Sequence, residues 1–185
     1  MQLFYIFYKI LFLFLILILI LFLVLKIKMN EKKPYFIFNY DFKDISYNYN
    51  FLTNDNKNKY YIQKYIYVPL RHKKTIKLEV IYSAIINETF IDGYLNSNIS
   101  GSFDFLYNNK IVGNLFISAS RRILALRLIS KKDDKNIYGP SSGEKYFGVI
   151  YSGGGIFENH TGTYNVTFIN DSGDAKIEIY LKKNN

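Results

Sequence analysis

Strict alternation of apolar and polar residues sets the fold class of this chain. Near the C-terminus Ala175, Ile177, Ile179 and Leu181 alternate with Lys176, Glu178, Tyr180 and Lys182. Just upstream, Tyr164, Val166 and Phe168 alternate with Thr163, Asn165 and Thr167, and earlier Ile76, Leu78 and Val80 alternate with Thr75, Lys77 and Glu79. Successive side chains of an extended strand point to opposite faces, so this period buries one set and wets the other. One wet face is the pattern of an antiparallel sheet or barrel wall. Comparable β-rich stretches occur at Tyr35–Phe42, Tyr60–Val68, Gly101–Tyr107, Ile111–Ala119, Arg122–Ile129 and Lys145–Tyr151. Asn108-Asn109-Lys110 and Asn170-Asp171-Ser172-Gly173 read as tight turns, because Asn and Gly tolerate positive φ. Residues 54–58 and 131–142 read as exposed loops. No soluble amphipathic helix is visible. The expectation is an all-β domain over residues 35–185, a single antiparallel barrel of about eight strands or a sandwich.

The N-terminus follows another rule. Every residue from Ile10 to Leu25 is apolar, and the run reaches back through Tyr8 to Leu3 with only Lys9 intervening. At ~1.5 Å per residue such a stretch spans a hydrocarbon core of ~30 Å. It ends in Lys26-Ile27-Lys28-Met29-Asn30-Glu31 without the small-residue site at which a signal peptide is cut, so we expect an uncleaved transmembrane helix over 1–28 and a short linker over 29–34. Two topology signals oppose each other. Lys26, Lys28, Lys32 and Lys33 follow the span, which favours a cytoplasmic domain. Sequons at Asn87, Asn98, Asn159, Asn165 and Asn170 make those side chains glycosylation candidates and favour a single-pass protein with a lumenal or extracellular domain.

Composition removes several chemistries. With no Cys there is no disulfide framework, thiol nucleophile or thiolate metal site, and His72 and His160 are too few for a three-histidine centre, so no metal or redox cofactor is expected. No G-x-S-x-G elbow occurs. Ser152-Gly153-Gly154-Gly155 runs into another strand rather than opening a helix, which argues against a phosphate cradle. The net charge of +9 raises nucleic-acid binding, but Phe103, Phe105 and Tyr107 alternate in phase with core positions, and the lysines lie on wet strand faces, so no nucleic-acid partner is expected. His72, within Arg71-His72-Lys73-Lys74, reads as part of a solvated basic turn.

Arg121, Arg122 and Arg127 flank the strand Ile123-Leu124-Ala125-Leu126-Leu128-Ile129 region, whose two faces are both apolar. If Leu124, Leu126 and Leu128 point inward, Arg127 points out; in the opposite register Arg127 enters the barrel and must find an acid or a ligand oxygen.

One segment resembles a known family. Ser152-Gly153-Gly154-Gly155-Ile156-Phe157-Glu158-Asn159-His160-Thr161-Gly162 is similar to the G-G-T-G-x-F-x-x-A-x-G signature of dirigent proteins and the related allene oxide cyclase barrels, matching at Gly153, Gly155, Phe157 and Gly162 and departing at Ser152, Gly154 and His160. The stretch from Gly113 to Ser120 resembles the family's strand ending in Ser-Ala-Ser, Asp174 to Leu181 resembles its terminal strand, and Lys43-Asp44-Ile45 stands where it has His-Asp-Ile. The resemblance implies an eight-stranded barrel, often trimeric, whose apolar cavity orients phenoxy radicals or promotes cyclisation of an epoxide without a metal or redox cofactor. It points to Asp44 as a cavity acid, to a small apolar or phenolic ligand and to a homo-oligomer. In physical terms the glycines permit positive φ at a sharp strand exit, and Phe157 plugs the barrel end. The rival expectation is a surface structural or attachment module that uses the barrel as a rigid body. Polar groups converging on a cavity would favour the first reading, and an interior filled with Phe, Leu and Ile the second.

Overall fold

The computed structural model describes residues 16–18, 33–56, 59–72, 77–125, 127–132 and 135–185. The chain divides into two units, Met1–Lys33 and Pro34–Asn185. The anchor and linker expected over 1–28 and 29–34 lie outside the described residues, apart from 16–18, which are helical, and 33 and 34. No helix among the described residues is long and apolar enough to cross a membrane.

The second unit is all-β. Its strands are β1 (Phe36–Tyr40), β2 (Ser46–Asn56), β3 (Lys59–His72), β4 (Glu79–Ile91), β5 (Tyr94–Tyr107), β6 (Lys110–Leu124), β7 (Arg127–Lys132), β8 (Lys135–Gly139), β9 (Lys145–Gly155), β10 (His160–Phe168) and β11 (Ala175–Lys183). Eight of them close a ring in the order β1-β11-β10-β9-β6-β5-β4-β3, with β3 returning to β1 through Phe38↔His72 and Asn39↔Arg71. After a 3-10 turn at Phe42–Asp44, β2 continues along the same edge of β3 from Ser46↔Tyr67. β7 and β8 form a separate hairpin inserted between β6 and β9. Closure satisfies every strand edge of the ring and leaves the interior of a small barrel to be filled by alternate side chains.

The expected alternation holds where it was sharpest. Tyr164, Val166 and Phe168 on β10 and Ala175, Ile177 and Ile179 on β11 are buried, and β4 buries Val80, Tyr82, Ala84, Ile86, Glu88 and Phe90 in strict alternation. The Asn-Asn turn is present with φ of 50° and 61° at Asn108 and Asn109, and Gly173 closes the later turn at φ 85°. Phe103 and Phe105 are fully buried, but Tyr107 ends β5 half exposed, where the barrel wall gives out.

Other expectations are corrected. Residues 131–142 are not simply a loop: β7 and β8 pair over Leu128↔Tyr138 and Lys131↔Asn136. The base of this hairpin is pinned by Ala125 N–H to the Gly93 carbonyl at 2.8 Å and by Ser141 N–H to the Leu124 carbonyl at 3.2 Å. Residues 54–56 belong to β2 rather than to a loop. The strand expected over Arg122–Ile129 is broken. β6 stops at Leu124, and its inward set is Leu115, Ile117, Ala119 and Ile123 rather than Leu124 and Leu128. His72 is not a solvated turn residue: it ends β3, its Nε2 lies 2.8 Å from the Leu78 carbonyl oxygen, and its ring meets Phe38 edge-on.

The interior has two halves. At the end where β1 begins and β5 finishes, Phe36, Phe38, Phe105 and Phe157 interlock, with Phe105 and Phe157 centroids 4.5 Å apart and Phe36 and Phe105 centroids 5.2 Å apart. Such offset aromatic contacts contribute ~0.5–1.5 kcal/mol each beyond area burial. Phe157 does plug this end, held in a tight turn by its N–H to the Gly154 carbonyl at 3.2 Å. At the other end the hairpin covers the opening, its Tyr138 ring stacked on Phe90 at 4.5 Å. The polar groups lie between Phe90 and the middle of the barrel.

Candidate functional site

Three adjacent strands bring three inward polar residues into one row. Glu88 on β4 pairs directly with Ser97 on β5, and Ser97 pairs directly with Arg121 on β6. Lys64 on β3 joins them diagonally, since Ile62 is the direct partner of Glu88. Each occupies an inward position in its strand's alternation, so backbone register alone forces the charges together.

Their contacts are specific. The Lys64 ammonium donates a short hydrogen bond to Glu88 Oε1. Ser97 Oγ donates to Glu88 Oε2 at 3.3 Å, and Arg121 Nε donates to Ser97 Oγ at 3.2 Å. Arg121 Nη2 stands 3.6 Å from Glu88 Oε2, too far for a hydrogen bond but close enough for an ion pair. The side chains of Lys64, Glu88 and Arg121 are 9%, 0% and 7% exposed. The guanidinium also lies over the Tyr146 ring, 4.8 Å from its centroid, a cation–π contact strengthened by desolvation.

A collar of phenols completes the site. Burial pushes Tyr40, Tyr82, Tyr146 and Tyr164 above the usual phenol range, opposed in each case by the positive charge of Arg121. Burial also lowers Lys64, and Glu88 works against that shift. Burial opposes the charge of Arg121 too, but Tyr146 and Glu88 outweigh it and hold the guanidinium above its ordinary value. The hydroxyls of Tyr82 and Tyr164 are buried and make no hydrogen bond of good geometry.

These groups face a cavity of about 60 Å³. Its polar wall is Lys64, Glu88, Arg121, Tyr40, Tyr82 and Tyr146; its apolar wall includes Ile66, Val68, Ile86 and Phe168. Phe42, Ile45, Pro140 and Gly173 also line it, from the 3-10 turn, the segment after the hairpin and the β10–β11 turn. At about 10–15 Å³ per water by this measure, the cavity has room for a few waters or a small organic molecule.

The residues expected from sequence fall elsewhere. Asp44 lies in the 3-10 turn, where Arg71 bridges it at 2.5 Å and Asp41 at 2.8 Å; it is not among the residues lining the cavity. Arg127 opens β7, on the hairpin rather than the barrel wall, and its side chain lies outside the described residues. The inward arginine is Arg121, in phase with Ile117, Ala119 and Ile123. Gly155 has the expected positive φ of 61°, whereas Gly153 and Gly162 do not. Gly162 is required by close approach instead: a Cβ there would run into the Tyr180 carbonyl of β11. The five sequon asparagines all sit on outward strand positions or turns. Asn87 and Asn98 are cross-strand partners and, with Tyr61, Asn96, Ser120 and Arg122, line a shallow outer depression of about 530 Å³. Asn170 has its side chain engaged with Asp174, whose Oδ2 accepts from Nδ2 at 2.9 Å.

Sequence reasoning missed Lys64, Glu88, Ser97 and Arg121. The signal was a charged residue in an inward slot: Lys64 follows Ile62 by two, Glu88 lies two from both Ile86 and Phe90, and Arg121 lies two from Ala119 and Ile123. Compared with protein families, characterised proteins and solved structures, the chain matches none.

Proposed function

We propose that the barrel is a ligand-binding domain, carried on a single-pass membrane anchor, whose interior takes a small apolar or phenolic molecule in the manner of a dirigent or allene oxide cyclase barrel. The observation that carries this reading is the convergence of Lys64, Glu88, Arg121 and the Tyr82 hydroxyl on an otherwise apolar cavity. Sites for small molecules combine an apolar wall with a few placed polar groups in this way, and an eight-stranded barrel is wide enough for one small ligand. The arrangement orients a guest rather than attacking it: Glu88 is already engaged by Lys64 and Ser97, and the phenols are held protonated by burial.

The test is thermal unfolding of the full-length protein in detergent, followed by circular dichroism, against a panel of small phenols and aliphatic compounds. A ligand binding only the folded state stabilises it by about 2.7 kcal/mol at a hundred times Kd. A saturable rise in Tm for some members is expected, lost when Val68→Trp fills the cavity. No rise for any member would sink the reading.

A second reading, a rigid oligomeric module, draws on the outer wall. Phe147, Val149 and Tyr151 form an exposed row on β9, and Phe116 on β6 stacks beside Tyr151 at 6.4 Å. Contiguous exposed apolar rows of this kind mark interaction surfaces. Light scattering should report a homo-oligomer that Phe147→Glu with Tyr151→Glu dissociates; an unchanged mass would remove this reading.

A further inference from the structure

The four strands that hold the interior cluster carry a second set of polar groups on their outer side. We propose that the outward face of β3, β4, β5 and β6 binds a neutral oligosaccharide, a site separate from the barrel interior. Two observations carry this assignment: a laterally bonded row of amides and hydroxyls, and the scarcity of charge around it.

Register builds the row. Gln63 on β3 pairs directly with Asn87 on β4, Asn87 with Asn98 on β5, and Asn98 with Ser120 on β6. All four occupy the outward slots that alternate with the buried positions of their strands. The Tyr65 hydroxyl donates to Gln63 Oε1 at 2.7 Å, Gln63 Nε2 donates to Asn87 Oδ1 at 3.0 Å, and Ser120 Oγ donates to Asn98 Oδ1 at 2.7 Å. Of the two asparagine amides these bonds use only the acceptor oxygens, and they hold the amide planes in place before any ligand arrives, which lowers the cost of binding. Strand spacing sets neighbouring amides ~4.8 Å apart. A sugar ring, whose hydroxyls each donate and accept, meets paired donors and acceptors along such a row.

The charge pattern decides which class of ligand fits. Over residues 61–65 of β3, 85–89 of β4, 96–100 of β5 and 118–122 of β6, each strand has three outward positions, twelve in all. Arg122 is the one charged residue among them, in a chain with 24 Lys and Arg and a net charge of +9. An ordinary surface of that size carries about three or four charges. The Arg122 guanidinium is itself drawn over the Tyr94 ring, 4.6 Å from the centroid. A nucleic acid calls for several cations along its backbone, and a protein partner for an apolar centre with a polar rim. Here the centre is amide and hydroxyl, and Ile85 is the one aliphatic side chain of the twelve.

Shape and aromatic placement agree. Asn87, Asn96, Asn98 and Ser120 line the outer depression of about 530 Å³ together with Tyr61, a volume within the ~300–1,000 Å³ common for small-ligand sites. Tyr61 and Tyr65 flank Gln63 on the same face and are 40% and 42% exposed. Their rings offer the flat apolar surface on which the C–H face of a sugar packs. A neutral sugar combines hydroxyls on its edge with apolar faces and no charge, which is what this wall presents in complement.

Asn87 and Asn98 are also sequon residues, so a sugar chain attached to either would bring the same chemistry from within the molecule. The test therefore uses full-length protein from a host without N-glycosylation, held in a zwitterionic detergent that has no sugar head group. Calorimetric titration with maltohexaose, cellohexaose and chitohexaose should show saturable binding of at least one. Asn87→Ala, Asn98→Ala and Tyr61→Ala should each weaken it about threefold to tenfold, the worth of one hydrogen bond or one ring contact. These positions face outward, so circular dichroism should show the β signal retained; if an asparagine variant misfolds, Tyr61→Ala decides. No binding of any of the three probes at millimolar concentration overturns the proposal. So does tighter binding of heparin than of every neutral probe, or full affinity retained in all the folded variants.

Discussion

Replacing Glu88 by Gln tests the energetics of the interior most directly. The carboxylate is fully buried, bonded to Lys64 on one oxygen and within 3.6 Å of Arg121 on the other. Glutamine preserves shape but removes the only negative charge of the cluster among the described residues. Breaking a buried ion pair from one side costs ~3–5 kcal/mol, because the remaining charge is left without a partner. Part of that cost can be relieved. Burial already lowers Lys64, so in the variant its ammonium can shed a proton, whereas the Arg121 guanidinium cannot. The Lys64 part of the loss should therefore shrink as pH rises, while the part that belongs to Arg121 remains. The sign follows from linkage: with the folded pKa of Lys64 below its unfolded value of about 10.5, the unfolded chain binds more protons in that window, and stability climbs with pH through it. Glu88→Gln removes the group that opposes the lowering, so the climb begins at lower pH. Urea unfolding followed by the β-sheet circular dichroism signal should show a midpoint about 2 M lower near neutral pH for ~3–5 kcal/mol at an ordinary m-value. The triple replacement Lys64→Met, Glu88→Leu, Arg121→Met should instead be neutral or stabilising, since buried ion clusters are often outperformed by apolar residues of similar volume. A midpoint in Glu88→Gln within ~0.5 M of the native value would refute the premise that these charges are desolvated.

Three other outcomes are expected. Gly162→Ala should destabilise by ~1–3 kcal/mol or more because its Cβ meets the Tyr180 carbonyl, and Gly155→Ala by at least ~1–2 kcal/mol because of its positive φ; unchanged melting of either would contradict the packing described. Above pH 10 the unfolded phenols ionise while Tyr40, Tyr82, Tyr146 and Tyr164 stay protonated in the fold, so stability should fall with rising pH by up to ~1.4 kcal/mol per unit for each. The double variant Tyr82→Phe, Tyr164→Phe should halve that slope in alkaline urea titrations, and an unaltered slope would count against it. Deleting residues 1–33 should leave a folded β domain, because Pro34–Asn185 forms a unit of its own; loss of the β signal in circular dichroism would exclude this.

The parts legible in sequence were those encoded locally. Alternation at Tyr164–Phe168 and Ala175–Ile179 is a property of neighbouring residues, and the Asn108-Asn109 turn needs only the tolerance of Asn for positive φ. The break after Leu124 was not legible, since Ala125-Leu126 carries neither Gly nor Pro and the apolar run continues across it. The charge cluster was hidden for a different reason. A charged residue in a strand ordinarily faces water, so Lys64, Glu88 and Arg121 each read as surface when taken alone. Only the register Glu88↔Ser97↔Arg121 across three strands shows that each has an ionic or hydrogen-bonding partner within the barrel. Register between strands distant in sequence is a tertiary fact, as is the seam Phe38↔His72 that closes the ring. The glycine-rich segment was placed well but explained incompletely: Gly155 answers to conformational freedom, Gly162 to the room left by β11.

The two halves of the interior bear differently on what the domain is for. Phe36, Phe38, Phe105 and Phe157 show that this chain can fill its barrel with interlocking rings, and a rigid module would gain by doing so throughout. In the other half it buries two cations, one carboxylate and two hydroxyls without a good hydrogen bond. Each is a group whose desolvation opposes folding unless it is fully paired. The phenols of Tyr82 and Tyr164 could be Phe, and Lys64 could be Met, with no loss of volume to the core. Stability alone therefore favours the opposite residues at these positions. A guest that offers acceptors to these groups would turn part of that cost into binding energy, and the cavity lies in this half of the barrel.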